Sequence, residues 1–437
     1  MDKFYNQIDD IIMNGNYESS FLSVQLNSEI DNQLYDYQFM QVQSMINCIN
    51  KYNIVLDTSD TGTGKTYCAM AVCNQLGLTP IVLCPKTIIT KWKKVAMLFN
   101  VEPLFICNYE SIKKGKYYEN NNRVKCPYIE YIDEQYFWNL PNGNHIFIFD
   151  EVHYCRNKQS LNGKLLISTY DYPKMLLSAT IIDSIKTFEL ITYMLKWCEF
   201  SQMRSYLSAE TNKMKSLKYL KNKLYPEYAT RISIKELGDR FPKNNIIIET
   251  FDGKKNYLID EQYENHLVEI LKKRQQIEQY KTNIIVELTK QYLENHFSVV
   301  IFVNFKKTLQ QLCELLKTKC SIHGDQTMRL RHKNILKFQK NKERIIICNI
   351  NAGGQSIDLH DTDGKYPRVS IISPGLSATQ LIQALGRIHR VESKSPATQI
   401  IVYCSNTIEE QICNKLQNKI HDLENLNDDD LYQTIIV

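Results

Sequence analysis

Eight residues, Ser59-Asp60-Thr61-Gly62-Thr63-Gly64-Lys65-Thr66, constrain this chain more than any other feature. They follow the apolar run Ile54-Val55-Leu56 and precede the small, apolar Cys68-Ala69-Met70-Ala71-Val72. Strand, tight loop and helix start is the order that a phosphate-binding loop requires. Gly62 and Gly64 let the backbone turn sharply, so its N–H groups can surround phosphate oxygens at the positive end of a helix. Lys65 can bring a charge to the β- and γ-phosphates, and the Thr66 hydroxyl can ligate Mg²⁺. The general pattern opens on Gly, where this chain has Ser59. The reading is a nucleoside triphosphate site in an α/β fold.

A second segment, His145-Ile146-Phe147-Ile148-Phe149-Asp150-Glu151-Val152-His153, reads as a hydrophobic strand ending in two carboxylates. Open α/β sheets carry their chemistry at the carboxyl ends of strands, so Asp150 and Glu151 are expected beside the loop. Asp150 is suited to hold Mg²⁺ through a water, and Glu151 to polarise the water that attacks the γ-phosphate. Far downstream, Arg387 and Arg390 lie three apart, a spacing that puts both on one face of a helix. A second α/β domain closing over the nucleotide can supply such charge to the transferring phosphoryl group.

Other segments arrive in a fixed order. Leu34-Tyr35-Asp36-Tyr37-Gln38 precedes the loop, and Ile81-Val82-Leu83-Cys84-Pro85-Lys86-Thr87 follows it. Cys107-Asn108-Tyr109-Glu110-Ser111 and Leu177-Ser178-Ala179-Thr180 stand on either side of the acidic strand. Then come Val299 to Asn304, Ile322-His323-Gly324, Asn351 to Leu359, and Gln383-Ala384-Leu385-Gly386-Arg387-Ile388-His389-Arg390. From about residue 34 to 415 this set resembles the motifs of superfamily-two helicases and translocases. Pro85-Lys86 followed by Lys91-Trp92, and Asp150-Glu151-Val152-His153 continuing to Arg156-Asn157, are similar to the Swi/Snf branch, whose members generally translocate on duplex DNA. Cys155-Arg156 and Ser356 depart from that branch's usual wording. Leu359-His360-Asp361 and Ile371-Ile372-Ser373-Pro374 also resemble helicases of large DNA viruses and phages.

The resemblance implies two RecA-like parallel-sheet domains in tandem, joined by a helical, basic region, with ATP as the nucleotide. It gives Arg390 the arginine-finger role, with Arg387 and Gln383 reaching the nucleotide or the other half of the motor, and Asp358 across the same cleft. Gln38 is implied to read the adenine edge, since a side-chain amide donates and accepts at once, with Tyr35 stacking on the base. Ser178 and Thr180 match the segment that couples nucleotide state to domain closure. Lys86, Thr87, Gly324 and Gly353 match positions where such motors touch the sugar-phosphate backbone. The implied function is ATP-dependent movement along nucleic acid in transcription, replication or repair. Duplex DNA is favoured; single-stranded DNA or RNA stays open, and a protein partner supplying specificity fits so compact a chain.

With 437 residues the chain exceeds what one core serves. Residues 1–33 read as a helical lead-in, 34–196 as a first domain of alternating strands and helices, 197–275 as a basic helical connection, and 276–437 as a second domain. Between Gln202 and Lys243 ten Lys/Arg stand against four Asp/Glu, with Tyr206, Tyr219, Tyr225 and Tyr228 interleaved. That stretch reads equally as a phosphate-tracking surface with stacking rings and as helices whose lysines solvate one face. The net charge of +5 does not by itself argue for nucleic acid. Thirteen cysteines include no Cys-x-x-Cys pair, which fits free thiols in a reducing, intracellular compartment (host cytoplasm, nucleus or virion for a viral chain) and no structural metal. No uncharged apolar run approaches a membrane span, and Met1-Asp2-Lys3 does not open a signal-peptide core. Two other classes could use the loop. A small-molecule kinase or synthetase leaves Gln383 to Arg390 without work, and a silent or partner-activated ATP-binding scaffold usually lacks the base or the finger, both present here as Glu151 and Arg390.

Overall fold

A computed structural model gives the structure of residues 25–119, 122–179, 188–214, 217–238, 241–252, 267–350 and 357–414. Thr180, Gly353 and most of the lead-in lie outside the described residues. The strands run β1 (Ile54–Asp57), β2 (Thr79–Cys84) and β3 (Phe105–Asn108), then two hairpins, β4 (Lys116–Glu119) with β5 (Asn122–Lys125) and β6 (Ile129–Ile132) with β7 (Gln135–Trp138). Next come β8 (His145–Asp150), β9 (Lys174–Leu177), β10 (Ala229–Thr230), β11 (Asn244–Asp252), β12 (Ser298–Val303), β13 (Ser321–Ile322), β14 (Ile345–Asn349), β15 (Arg368–Ile372) and β16 (Ala397–Ser405). Among the described residues two six-stranded sheets form, ordered β10-β1-β9-β8-β2-β3 and β11-β16-β15-β12-β14-β13. Every pairing inside them is parallel.

Parallel sheets need cover on both faces, and the strand sequences supply apolar residues for both. Val55, Val82, Ile148 and Met175 cluster with Val42, Met45, Met70 and Trp92 of the helices Asp36–Tyr52, Lys65–Leu76 and Ile89–Leu98. Their neighbours Leu56, Leu83, Phe147 and Leu176 face the other way, toward Leu165, Met203 and Leu220. The second sheet repeats the scheme. Val300, Phe302 and Cys348 pack with Phe338, Leu381 and Ile388, while Ile301, Ile347 and Ile371 pack with Ile285, Leu309 and Leu312.

Two features differ from the expected layout. The hairpins β4–β5 and β6–β7 interrupt the strand–helix alternation between β3 and β8. Their strands are short and half exposed, so they carry too little apolar signal to announce themselves. In addition, the basic stretch 197–275 gives an edge strand to each sheet, β10 beside β1 and β11 beside β16. Part of it packs inward rather than offering a stacking surface. Tyr228 stacks on Tyr52 at 4.1 Å, and the Lys223 ammonium lies 4.7 Å from the Trp197 ring centre. Among the described residues no helix is long and apolar enough to cross a membrane.

Candidate active site and nucleic-acid groove

The loop after β1 takes the shape its glycines allow. Gly62 and Gly64 sit at φ +92° and +99°, where other residues are strained. A Cβ on Gly64 would lie 2.0 Å from Gln38 Nε2, and one on Gly62 would lie 2.9 Å from Arg390 Cδ and Nη1. Lys65 Nζ donates to the Ser59 and Asp60 carbonyls at 2.6 and 3.0 Å, and Thr63 Oγ1 donates to the Asp60 carbonyl at 2.9 Å. Ser59 is explained by its surroundings. Its buried Oγ accepts from the Ile232 amide at 2.9 Å and from Gln41 Nε2 at 3.1 Å, bonds that a glycine could not make. Asp60 is held in the same way: Oδ1 accepts from Arg231 Nη2 at 2.8 Å and Oδ2 from the Ile234 amide at 2.9 Å. The chain just after β10 thus clasps the loop from outside.

Asp150 ends β8, and Trp92 Nε1 donates to its Oδ2 at 2.7 Å. Tyr109 Oη donates to the Asp150 carbonyl at 2.8 Å. Glu151 follows at φ +56°, ψ 52°, a left-handed conformation uncommon for a side chain of this size and often found at functional turns. His153 Nδ1 lies 3.3 Å from Glu151 Oε2 and 3.2 Å from Ser178 Oγ, so one imidazole joins the acidic turn to the end of β9. Burial and the adjacent Glu151 push the Asp150 carboxyl up. Burial pushes Glu151 up as well, but the hydrogen bond and charge of His153, then Lys65 and Arg387, outweigh it and hold Glu151 below the usual carboxylate range.

The second sheet supplies the opposite wall. The helix Ala378–Leu385 stops at Gly386, so Arg387 and Arg390 leave from the turn beyond it, not from one helical face as their spacing suggested. Both still face the first domain. Arg390 pairs with Asp358 at 3.1 Å, and Arg387 Nη1 donates to the Ile357 carbonyl at 3.3 Å. Burial and the neighbouring Arg390 bring Arg387 down to about 10. The protein around Asp358 would raise its carboxyl, but Arg390, Lys91 and Arg387 pull it to about 2. The Nε atoms of Arg387 and Arg390 are buried without a partner.

Between these walls lies a cleft of about 510 Å³. It is lined by Gln38, Thr61, Gly62, Thr63, Gly64, Lys65, Thr66, Asp150, Glu151, Asp358, Arg387 and Arg390. Ser178 lies behind it on His153, and Gln383 is buried in its helix without lining the cleft. Gln38 Nε2 donates to the Thr63 carbonyl at 2.8 Å and its Oε1 accepts from the Tyr35 amide at 2.9 Å, leaving one N–H and one lone pair on the amide. Tyr35 is half exposed at the cleft edge and stacked on Tyr37. The residues fit a magnesium nucleotide: unpaired guanidinium donors and a lysine for phosphates, and a hydroxyl and a carboxylate as hard oxygen donors for Mg²⁺.

A second groove, of about 580 Å³, gathers Lys86, Thr87 and Gly324, three of the expected backbone-contact residues, along with Asn108, Arg123, Asn162 and Arg331. A Cβ on Gly324 would meet nothing within 4 Å, so the backbone there is open to a ligand. Sequence reasoning did not single out the parts played by Trp92, His153, Arg231 and Arg123, and it read Lys91 as a member of the Lys91-Trp92 pair, without a place in the nucleotide cleft. Lys91 lines the nucleotide cleft, where burial lowers its pKa. No local spacing marks Trp92 or Arg231, because their partners lie 58 and 171 residues away; His153 stands two residues from Glu151, but its second partner, Ser178, is 25 residues on.

Residues 31–183 match the family model described as type III restriction enzyme, res subunit, and residues 280–392 match the helicase conserved C-terminal domain. The chain is 37% identical over 465 aligned positions, 94% of its length and 87% of the relative's, to a protein of Acanthamoeba polyphaga mimivirus named "Putative ATP-dependent RNA helicase". It is 26% identical over 148 positions to an "Uncharacterized ATP-dependent helicase" of Mycoplasma genitalium, covering 33% of this chain and 14% of that one. The solved structure of S. cerevisiae Dbp5 bound to RNA and ADP BeF3 superposes on 91% of the chain and 92% of its own length, with TM-score 0.51 at 16% identity, a likeness of fold.

Proposed function

We propose that this chain, which belongs to the superfamily-two helicases, is an ATP-driven motor that moves along RNA. The observation that carries the reading is the single cleft that joins Lys65, Thr66, Asp150 and Glu151 of the first domain to Arg387, Arg390 and Asp358 of the second. In this reading the loop amides and Lys65 hold the phosphates, and Gln38 with Tyr35 holds the base. Thr66 and Asp150 would hold Mg²⁺, which would supply neutralising positive charge to the nucleotide. Glu151, kept ionised and oriented by His153, takes the proton of the attacking water. Arg387 and Arg390 stabilise the charge that develops on the transferring phosphoryl group, with Arg390 as the finger. The His153–Ser178 contact passes a change at Glu151 to β9, consistent with a coupling role for Ser178.

The Swi/Snf-like wording around Pro85 and Trp92 leans to duplex DNA. The mimivirus relative's name and the ligand in the Dbp5 structure both carry RNA, and we take RNA as the track. Kinship with that relative also supports a viral source. The test is steady-state ATP hydrolysis with no polymer, single-stranded RNA, single-stranded DNA or duplex DNA at one fixed salt concentration. Expected is stimulation by RNA that Glu151→Gln abolishes while nucleotide binding persists. Stimulation by duplex DNA alone returns the reading to a Swi/Snf-like translocase. Turnover indifferent to every polymer defeats the autonomous motor.

A further inference from the structure

The second groove holds a chemical imbalance that phosphate binding leaves unsolved. Its cations suit a polyanion: Lys86 from the turn after β2, Arg123 from β5, and Arg331 from the helix Met328–Gln339 of the second domain. Arg331 Nη2 already donates to the His323 and Gly324 carbonyls at 2.8 and 2.9 Å, while its buried Nε has no partner. Three other buried polar atoms in the lining lack partners: Thr87 Oγ1, Asn108 Oδ1 and Asn162 Oδ1. Two of these are amide carbonyl oxygens, which only accept. Phosphate oxygens also only accept, so a backbone lying here cannot satisfy them through its phosphates. The orientation of Asn162 is set by its own bond, since Nδ2 donates to the Tyr154 carbonyl at 3.4 Å and Oδ1 is therefore the atom left over. A buried acceptor left unpaired is destabilising, and a ligand carrying a donor would relieve it.

A ribose 2′-hydroxyl is such a donor, repeats once per nucleotide whatever the base, and is absent from DNA. We propose that Asn108 and Asn162 select ribose over deoxyribose in a single strand whose phosphates are held by Lys86, Arg123 and Arg331. Arg123 reaches the groove only because the β4–β5 hairpin is inserted between β3 and β8, so that hairpin is a wall of the binding site. Arg123 is positioned there by Nη2 donating to the Glu110 carbonyl at 3.3 Å. This inference rests on the nucleic-acid reading above and adds the sugar chemistry and the residues that read it.

The experiment is fluorescence anisotropy of the full chain with labelled oligouridylate, its deoxyuridine counterpart and its 2′-fluoro counterpart, all of one length at one salt concentration. Two hydrogen bonds at typical net strength predict about a tenfold preference for RNA over deoxyuridine. The 2′-fluoro strand, which keeps a ribose-like pucker but cannot donate, binds like DNA, and this arm needs no altered protein. Asn162→Leu and Asn108→Leu each cut the RNA preference about threefold while leaving the deoxyuridine affinity in place, which also reports an intact groove. Arg123→Ala weakens both strands alike and lowers the log–log salt slope by about one. Equal affinity for RNA and deoxyuridine, tight binding of the 2′-fluoro strand, or asparagine variants that weaken both sugars equally would each overturn the proposal. If deoxyuridine binds as well as RNA and stimulates hydrolysis, the motor stands and the ribose inference falls. If no strand binds, the nucleic-acid reading itself falls.

Discussion

Gly386→Ala perturbs domain closure without removing a side chain of the phosphate loop or either arginine. Gly386 lies at φ −70°, ψ 0°, a conformation alanine adopts freely, so the second domain tolerates the change. Reduced freedom in the unfolded chain adds about 0.4–1 kcal/mol of stability. The obstacle lies across the cleft, where a Cβ at this position meets Thr61 Oγ1 at 2.2 Å and Thr61 Cβ at 2.9 Å. The hydroxyl can rotate away; the β-carbon cannot. Ordinary contact begins near 3.4 Å, so the walls must part by about 0.5 Å next to Arg387. Misplacing a reacting group by about 1 Å costs about 100-fold, and half that distance predicts a kcat loss of about 10-fold. The assay is polymer-saturated ATP hydrolysis, paired with fluorescent-nucleotide titration and thermal melting. Expected are a lower kcat, nucleotide affinity within a few-fold, and a Tm equal to or above the parent's. Thr61→Gly added to Gly386→Ala removes both clashing atoms and recovers activity. A Gly386→Ala protein turning over at the parental rate would show that the Thr61–Gly386 contact is no part of the hydrolysing arrangement.

Other consequences are open to equally direct measurement. Arg390→Ala should keep nucleotide binding but lose about 10³-fold in turnover, as arginine fingers do; near-parental hydrolysis would move the finger elsewhere. Arg231→Ala strands Asp60, whose side chain is only 9% exposed, and should cost about 3–5 kcal/mol in urea denaturation. A loss under about 1 kcal/mol would mean that the Ile234 amide alone suffices. Lys174 is buried at the start of β9, its Nζ donating to the Tyr170 carbonyl at 3.0 Å, and burial with Lys196 lowers its pKa to about 7. A base whose folded pKa lies below its unfolded value destabilises the fold at low pH, and the penalty fades as pH climbs from the folded toward the unfolded value. Lys174→Met therefore raises Tm at pH 7, and its advantage shrinks between pH 7 and 10. An advantage that holds constant or grows over that range contradicts the assignment.

The parts of this molecule that sequence reading captured are those whose physics is local. Gly62, Gly64, Lys65 and Thr66 act within one turn of chain, and the apolar runs of β2, β8 and β12 need nothing beyond their own composition to read as buried strands. Helical continuity does not extend to the two arginines. Arg387 and Arg390 were placed on one helical face, yet Gly386 ends the helix, and the two meet the cleft through the turn instead. Individual hydrogen bonds across long stretches left no trace. Trp92 reaches Asp150 over 58 residues, and the Ile232 amide reaches Ser59 over 173. The serine that looked like a lapse from the loop pattern is a bracket for a segment that sequence alone places in another region. The strand β10 has only two residues, too few for a periodic signal, and its place beside β1 depends wholly on tertiary pairing.

That clasped segment also sets how far the motor can open. Thirteen residues separate the end of β10 from the start of β11, a reach of roughly 45–50 Å if fully drawn out. Both ends are tied near the chemistry: Arg231 grips Asp60 beside the phosphate loop, and the Pro242 carbonyl accepts from His389 Nε2 at 2.7 Å, one residue from the finger. On the proposed mechanism, Arg390 is thus carried on a leash rather than met by diffusion, at an effective concentration of about millimolar or above. Hydrolysis per molecule should be the same in dilute and concentrated solution, with its tempo set by the swing of one chain on itself.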